Sequence, residues 1–431
     1  MIPRSRKISG YLRLTSTFSR ALVCTLLLSG YANAAGDQAA IVDATAKGKP
    51  LLWPDYMELI NQGRDFAQYA TIPLSDEAVA QYFLMALSNA YALLYRADPY
   101  RPEFSPFANH VFNIAGPNPD TTYYFATLDG NSKYRIVGQR GSVHMIDFQT
   151  GYDWLGFKTT PGRAFPSTSI DDYVIDQDGH FEILLSGDKP KSHSGNWLKL
   201  DERVNYLLVR QISYTAEETN ALLAIELIEK SSRQTAAVNF EEKFKKMADF
   251  SRNSTRFYLG YLQSLAKDEV INRMRVMDYD AVGGVHNQIY HQGLYDIKLE
   301  EALIVKAKVP AKCDYWNIQV TDRLWQTLEP VYSQSSLNGR KSRSDKDGFT
   351  RFVLSHRDPG VANWIDLNRV EQGYMVMRWL GCSSPPEQTT KKINFADVRQ
   401  SLPRDTQAIG PLERQQAILA RALARQLRRD W

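Results

Sequence analysis

The chain has 431 residues, of which 43% are apolar and 11% aromatic, which is enough for a packed core and too apolar for a disordered protein. Its 52 basic and 48 acidic residues give a net charge of +4, and five of the basic residues lie in the first 34 positions. This near balance argues against nucleic-acid binding. No later apolar run is long enough to form a transmembrane anchor.

Residues 1–34 have the pattern of a signal peptide. A basic stretch without acids precedes the apolar run ALVCTLLLSGY, and Ala32 and Ala34 occupy the small-residue positions that a signal peptidase recognises. The apolar run is too short to cross a bilayer. We therefore expect Sec-type export, cleavage near Ala34, and a periplasmic or secreted protein.

Two cysteines, Cys313 and Cys382, remain after that cleavage. Both flank a β-rich stretch, and an oxidising compartment would allow them to form one disulfide. The sequence leaves this pairing open. Neither the cysteine nor the histidine spacing predicts a metal site, and no cofactor is predicted.

Residues 35–115 are predicted to form an N-terminal helical region. The stretch from Trp53 to Ala70 favours a helix with proline in its first turn. Ser75 is a typical N-cap for a second helix, whose apolar residues recur at helical spacing until Asp98 and Pro99 end it.

Residues 116–215 are predicted to form a first β-rich domain. The rigid turn GPNPD, which begins at Gly116, leads into TTYYFATL, and further β-branched and aromatic runs alternate with turn residues. Residues 216–298 are predicted to form a helical insert. One helix is expected in AEETNALLAIELIEK and a longer one from Phe240 to Lys267.

Residues 299–387 are predicted to form a C-terminal antiparallel β-sandwich, similar to a jelly roll. Residues 388–431 are predicted to form a polar loop followed by an amphipathic helix with leucines on one face and arginines on another. We expect the leucines to pack on the helix's own domain, with docking on an anionic surface as the alternative. The predicted fold class is α+β, and no internal repeat of fixed period is evident.

The common catalytic motifs of α/β-hydrolases, nucleotide-binding enzymes and zinc proteases are absent. Polar residues on predicted loops therefore carry the catalytic hypothesis. It places Asp120, Arg140, His356 and Asp358 in a cleft between the two β-rich parts. Aspartate would act as acid or base, arginine as a clamp for a carboxylate or oxyanion, and histidine as a proton shuttle.

Aromatic residues beside polar ones indicate a binding surface. A tryptophan next to Asn, Asp or Arg offers a platform for a sugar or a flat apolar ligand, and the alternative is that it fills the core. The candidate substrate-binding residues are Asn118, Tyr123, Trp316, Asn363 and Trp364.

Several short motifs occur in a fixed order: NPDTTYYFATLDG, DGHFEILLS, GNW, VRQISY, CDYWNIQVTDRLW, DKDGFTRFVLSHRDPGVANWIDL and MRW. This set resembles bacterial exported proteins that carry the domain of unknown function "twelve-fourteen", often paired with "twelve-fifty-four". The resemblance is strongest from Ala302 to Leu380. It implies a β-sandwich for the C-terminal part and assigns no catalytic residue.

Three functional hypotheses follow. The first is an exported hydrolase or lyase that acts on a carbohydrate, lipid or sterol-like substrate. The second is a non-catalytic envelope protein that binds a glycan or an apolar ligand. The third is an assembly protein that uses the C-terminal helix as its contact. The sequence favours the first slightly and leaves the oligomeric state open.

Overall fold

The computed structural model describes residues 53–66, 74–232, 240–267, 271–279 and 283–428; the predicted signal peptide lies outside them. Helices of the described residues are α1 (Trp53–Asp65), α2 (Asp76–Ala90), α3 (Phe240–Lys267) and α4 (Pro411–Leu427). Ser75 caps α2 as predicted, since its hydroxyl accepts the amide of Ala78 at 3.1 Å. None of the described helices combines the length and apolarity needed to cross a bilayer.

Nine strands precede α3. They are β1 (Ser105–Pro106), β2 (Thr121–Thr127), β3 (Lys133–Gln139), β4 (Met145–Gly151), β5 (Thr168–Ser169), β6 (His180–Ser186), β7 (Asn196–Lys199), β8 (Tyr206–Ile212) and β9 (Leu222–Glu229). They form a five-stranded sheet in the order β1-β2-β8-β4-β5 and a four-stranded sheet in the order β7-β6-β3-β9. Together these two sheets are called the first half.

Nine more strands follow α3. They are β10 (Arg275–Met277), β11 (Gln288–Asp296), β12 (Glu301–Lys308), β13 (Tyr315–Thr321), β14 (Ser336–Asn338), β15 (Thr350–Ser355), β16 (Trp364–Asp366), β17 (Gln372–Leu380) and β18 (Glu387–Asn394). They form a five-stranded sheet in the order β10-β11-β17-β13-β14 and a four-stranded sheet in the order β16-β15-β12-β18. These two sheets are called the second half.

The two halves repeat one topology. The strand order of the second half is that of the first with each position replaced by its equivalent, including the parallel pairs β6–β7 and β15–β16. The strand register shows which residues of the two halves are equivalent. Tyr123 on β2 pairs with Arg210 on β8. In the same way, Tyr290 on β11 pairs with Arg378 on β17. The sequence analysis predicted no internal repeat of fixed period. The shared topology of the two halves corrects this prediction.

Each half is a β-sandwich with its own core. Side chains from both sheets of the first half, such as Ile136 and Phe148, pack in one buried cluster, and Val305 and Met377 do the same in the second. A third cluster joins α2 and α3 to the five-stranded sheets of both halves, with Leu208 and Tyr374 among its members. The predicted α+β class and the C-terminal β-sandwich agree with this architecture.

Two predicted segments differ from the structure. The segment AEETNALLAIELIEK contains strand β9, which pairs with β3 and buries Ile225, so the predicted first helix of the 216–298 insert is wrong. Within that insert α3 is helical, whereas β10 and β11 belong to the second half. The predicted polar loop after residue 387 begins with β18, which pairs with β12 along eight residues.

Helix α4 is present as predicted, but it packs on the protein with its arginine face rather than its leucine face. Leu419, Leu423 and Leu427 are 58%, 52% and 83% exposed, whereas Arg414 is buried. Arg414 pairs with Asp358 at 2.8 Å. The predicted packing of the leucines on the protein is therefore wrong, because the arginines make the contacts with the β-sandwich.

Cys313 and Cys382 are joined by a disulfide. They lie just beyond the paired ends of β13 and β17, where Tyr315 is opposite Leu380. The bridge therefore closes one end of the five-stranded sheet of the second half.

Candidate functional site

The two five-stranded sheets and α3 line a partly open pocket of about 180 Å³. Its walls are mainly aromatic and aliphatic, with Phe107, Trp154, Phe257, Tyr258, Trp325 and Val376 among them. Trp154 meets Phe107 edge to face at 5.3 Å, and Trp325 meets Tyr258 in the same manner at 5.5 Å. A concave, mainly apolar pocket with few polar groups is the usual form of a small-molecule site.

The polar part of the pocket comes from equivalent residues of the two halves. Arg210 on β8 and Arg378 on β17 are both buried, and each lies opposite a tyrosine of the pocket, Tyr123 and Tyr290. Burial raises the pKa of the Tyr290 hydroxyl, while the two guanidinium groups oppose that rise. Both cations therefore act on the same region of the pocket.

Each arginine is held by a glutamine of its own half. Arg210 donates to Gln149 Oε1 at 3.0 Å, and Arg378 donates to Gln319 Oε1 at 2.6 Å. Gln149 and Gln319 are fully buried on the strands that flank β8 and β17. The two glutamines thus fix the guanidinium groups at equivalent positions.

Each arginine also reaches a backbone carbonyl of the other half. Arg378 donates to the carbonyl of Gly116 at 3.0 Å, just before β2. Arg210 donates to the carbonyl of Gly283, just before β11. The polar site is therefore completed only when both halves are present.

Gly116 and Gly283 also lie against the tryptophans of the opposite half. Their φ angles are +58° and +106°, in the region that favours glycine. A Cβ atom on Gly116 would lie 3.1 Å from Trp325 Cδ1, and one on Gly283 would lie 2.2 Å from Trp154 Cζ3. Glycine at both positions allows a carbonyl and an indole ring to occupy the same corner of the pocket.

Two of the predicted substrate-binding residues, Asn118 and Tyr123, line this pocket. Asn118 also holds a buried network, since its Nδ2 donates to the Tyr315 hydroxyl at 2.8 Å. That hydroxyl donates in turn to Asp120 Oδ2 at 2.9 Å. The GPNPD turn therefore supplies three residues that line the pocket, Gly116, Pro117 and Asn118, and one carboxylate that ties the turn to Tyr315.

The other three predicted binding residues have packing roles. Trp316 stacks on Trp379 at 5.5 Å in the core of the second half. Trp364 is buried and donates its indole N–H to the carbonyl of Ser355 at 3.1 Å. Asn363 donates to the carbonyl of Arg351 at 3.0 Å.

The four predicted catalytic residues each have their own partners. Arg140 donates to the carbonyl of Val143 at 2.7 Å, and burial lowers its pKa. His356 Nε2 lies 2.8 Å from the carbonyl oxygen of Ile297, and Asp358 pairs with Arg414. No hydrogen bond or ion pair of the described structure joins any two of the four, which include Asp120, and none of them lines the pocket.

Metal ligation has no candidate in the described ranges, where no three His, Cys, Asp or Glu side chains are close enough to hold an ion. The polar groups of the pocket are instead arginine, glutamine, tyrosine and asparagine. These groups bind by charge and hydrogen bonding, and they offer no carboxylate pair and no activated nucleophile.

Sequence reasoning missed both arginines. The available signal was a short similarity at the ends of the halves, YLLVR at 206–210 and YMVMR at 374–378. Each places a charged residue inside an otherwise apolar strand, where a cation is rarely buried without a function or a partner. The stretches at 178–186 and 347–355, DGHFEILLS and DGFTRFVLS, carry the same repeat.

Comparison with known proteins agrees with this division. The family model DUF1214, "Protein of unknown function", matches residues 125–214 and 296–384, one stretch in each half. The family model therefore matches the chain twice, which confirms the resemblance to "twelve-fourteen" proteins. The pairing with "twelve-fifty-four" stays a prediction.

A solved structure with a TM-score of 0.72 is similar in fold, and a second aligns more weakly. An uncharacterised protein from Burkholderia cenocepacia aligns with a TM-score of 0.72 and 25% identity over 80% of this chain and 97% of its own. The VPA0106 protein from Vibrio parahaemolyticus aligns with a TM-score of 0.42 and 12% identity over 77% of this chain and 100% of its own. No curated protein matches the chain.

Proposed function

We propose that the protein binds a small, largely apolar molecule in the pocket between the halves, without a catalytic step. The observation that carries this proposal is the partly open aromatic pocket of about 180 Å³ with its fixed polar groups. A hydrolase or lyase has less support, because Asp120, Arg140, His356 and Asp358 do not line this pocket and no hydrogen bond or ion pair of the described structure joins any two of them. Of the earlier alternatives, the binding of an apolar ligand fits this geometry best.

Pocket size limits the ligand. An engineered protein cavity of about 150 Å³ holds benzene, so a pocket of similar volume accepts about one ring with a short substituent. The aromatic walls offer edge-to-face contacts to such a ring. A glycan would need a wider and more polar site than this one.

The test is a thermal shift with a neutral probe, 3-phenylpropan-1-ol, on the chain from residue 35 onward. Binding raises the melting temperature by mass action, so we expect a dose-dependent rise. Ile114→Phe fills the pocket wall and should abolish it. The control Ile228→Phe makes the same change at an exposed position outside the pocket and should preserve it. A rise that survives Ile114→Phe would refute the proposed site.

We also propose that the protein is exported. The Cys313–Cys382 disulfide supports this, since such bridges persist mainly in oxidising compartments. Fractionation of the expressing cells followed by mass spectrometry should find a periplasmic or secreted chain that starts near Ala35. A cytoplasmic chain that retains residues 1–34 would contradict the proposal.

A further inference from the structure

One difference between equivalent positions of the two halves lies directly beside the arginines. Asp147 lies directly opposite Arg210 on the neighbouring strand, and Asn317 lies directly opposite Arg378. A carboxylate in the first half is thus replaced by a neutral amide in the second. The residues nearby, Gln149 and Gln319, are the same in both halves.

The aspartate neutralises its arginine. Arg210 Nη1 and Asp147 Oδ2 are 2.9 Å apart, with 6% and 10% of the two side chains exposed. Burial raises the pKa of Asp147, and the positive charge of Arg210 opposes that rise. The first half therefore buries an ion pair with little net charge.

Arg378 lacks such a partner. It is 9% exposed, and within the described chain it forms no ion pair with a carboxylate. Its hydrogen bonds go to neutral oxygens, Gln319 Oε1 and the carbonyl of Gly116. A guanidinium group has five N–H donors, so three remain after these two bonds.

Two nearby groups are committed elsewhere. Asp120 accepts the hydroxyl of Tyr315 and makes no ion pair with Arg378. Asn317 donates its amide to Asn118 Oδ1 at 2.9 Å, while its own Oδ1 is buried without a hydrogen-bond partner in the described structure. An unneutralised cation at a buried position is costly, and a bound anion would remove that cost.

On the basis of the proposed apolar-ligand function, we propose that the ligand is a monocarboxylate with a compact aromatic or aliphatic body, whose carboxylate binds Arg378. The guanidinium group pairs well with a carboxylate because both are planar, and the hydrogen bonds are charge-assisted. One unneutralised cation balances one negative charge. The apolar walls then receive the body of the ligand.

The experiment compares 3-phenylpropionate with 3-phenylpropan-1-ol by isothermal titration at pH 7, on the chain from residue 35 onward. The two probes share a ring and chain length and differ in charge. We expect the acid to bind at least about tenfold more tightly, since a hydrogen bond to a charged group contributes about 1.5–3 kcal/mol and 1.4 kcal/mol is a factor of ten.

Asn317→Asp supplies to Arg378 the carboxylate that Arg210 already has. It should remove the preference for the acid, leaving the affinity for the alcohol within about twofold, because the apolar walls do not change. Asp147→Asn is the reciprocal change. It releases Arg210 and should raise the affinity for the acid. If Asn317→Asp fails to fold, Arg378→Gln is measured in its place with the same expectation.

The outcomes separate the two proposals. Equal binding of acid and alcohol by the wild type, or an acid preference that survives Asn317→Asp or Arg378→Gln, would overturn the carboxylate inference and leave the apolar-ligand function standing. Binding of neither probe would overturn both. Loss of the acid preference in Asn317→Asp, with the alcohol still bound, would establish Arg378 as the carboxylate receptor.

Discussion

Two arginines in equivalent positions have different electrostatic surroundings. Arg210 faces Asp147, whereas Arg378 faces Asn317, although both donate to a glutamine and to a carbonyl of the opposite half. The difference lies in one side-chain atom, an oxygen in place of a nitrogen. It decides whether the cation is neutralised within the protein.

This asymmetry predicts different effects on stability. Arg210→Met should lower the free energy of unfolding by about 3–5 kcal/mol, because it leaves Asp147 buried without its cation. Arg378→Met should lower it by at most about 1–3 kcal/mol, because it leaves only neutral acceptors unpaired and also removes the desolvation cost of a cation without an ion-pair partner. Urea unfolding of both variants measures the difference. Equal losses would show that the two sites are electrostatically alike.

Asp322 gives the protein a pH dependence. Its Oδ1 accepts the backbone amides of Leu324 and Gln326 at 2.8 and 2.9 Å, while burial raises its pKa to about 6. The folded state therefore holds a proton that the unfolded state releases near pH 4. The contribution of this group to stability is full below about pH 4 and is lost as pH rises to about 6.

Asp322→Asn should remove that dependence, since an amide oxygen can accept the same two hydrogen bonds. Relative to wild type, the variant should gain about 1–3 kcal/mol of unfolding free energy between pH 4 and pH 7. Chemical denaturation at both pH values provides the measurement. Parallel pH profiles for the two proteins would contradict the prediction.

Some residues of the pocket could be predicted from the sequence and others could not. Asn118 and Tyr123 follow a Pro-rich turn and a change of period, both of which are local signals. Arg210 and Arg378 lie within strands whose mainly apolar sequences predict ordinary core strands. Their role depends on pairing with strands more than 60 residues away, which no local pattern reports.

At the scale of elements, the two wrong secondary-structure predictions concern one position of the repeat. β9 and β18 are equivalent strands at the edge of the four-stranded sheets. Edge strands are largely exposed, so their sequences need not alternate between apolar and polar residues. LLAIELIE therefore suits a helix by spacing, and EQTTKKIN suits a loop by polarity, although pairing with β3 and β12 makes both of them strands.

Helix α4 shows why an amphipathic pattern does not fix orientation. The face that packs on the protein is set by specific arginine contacts. Arg414 pairs with Asp358, and Arg421 donates to Ser336 Oγ at 3.1 Å. Long arginine side chains can cover apolar surface with their stems while their ends hydrogen-bond.

Alanine substitutions should separate the two faces of α4. Arg414→Ala should lower the free energy of unfolding by about 2–4 kcal/mol, because it removes a mostly buried charge partner of Asp358. Leu419→Ala should change it by less than about 0.5 kcal/mol, since that side chain is 58% exposed. Both values come from urea unfolding. The reverse order would mean that the leucine face is buried in solution.

At the scale of the molecule, the two halves are tied together at the pocket. Arg378 and Gln319 of the second half donate to the carbonyl of Gly116 in the first. In return, Gln149 Nε2 of the first half donates to the carbonyl of Gly284, just before β11, at 2.9 Å. The cluster formed by α2 and α3 contacts both five-stranded sheets. Neither half is an independent unit in this arrangement.

We therefore expect one cooperative unfolding transition. Far-ultraviolet circular dichroism follows all strands, and tryptophan fluorescence follows both halves, since Trp154 and Trp325 lie one in each. The two signals should coincide across the urea range. Separate midpoints would show that the halves unfold independently and that the crossed hydrogen bonds couple them weakly.

The order of helical and β-rich parts was predictable from the change of hydrophobic period along the sequence. The repeat of one β-sandwich topology in the two halves was not. Only short stretches, such as YLLVR and YMVMR, stay similar between the halves, because topology is preserved by burial pattern rather than by identity. A single duplication of such length and divergence gives no short period that recurs along the sequence. The repeat becomes evident only when the strand order and register of the two halves are compared.

The arginine of each half donates to a glycine carbonyl of the other half, and this arrangement bears on the orientation of a bound ligand. If a carboxylate binds Arg378 as proposed, the two ends of the pocket are not interchangeable for the ligand. Asp147 already neutralises Arg210, whereas Asn317 leaves Arg378 without a carboxylate. A duplicated fold would thereby bind its ligand in a single orientation.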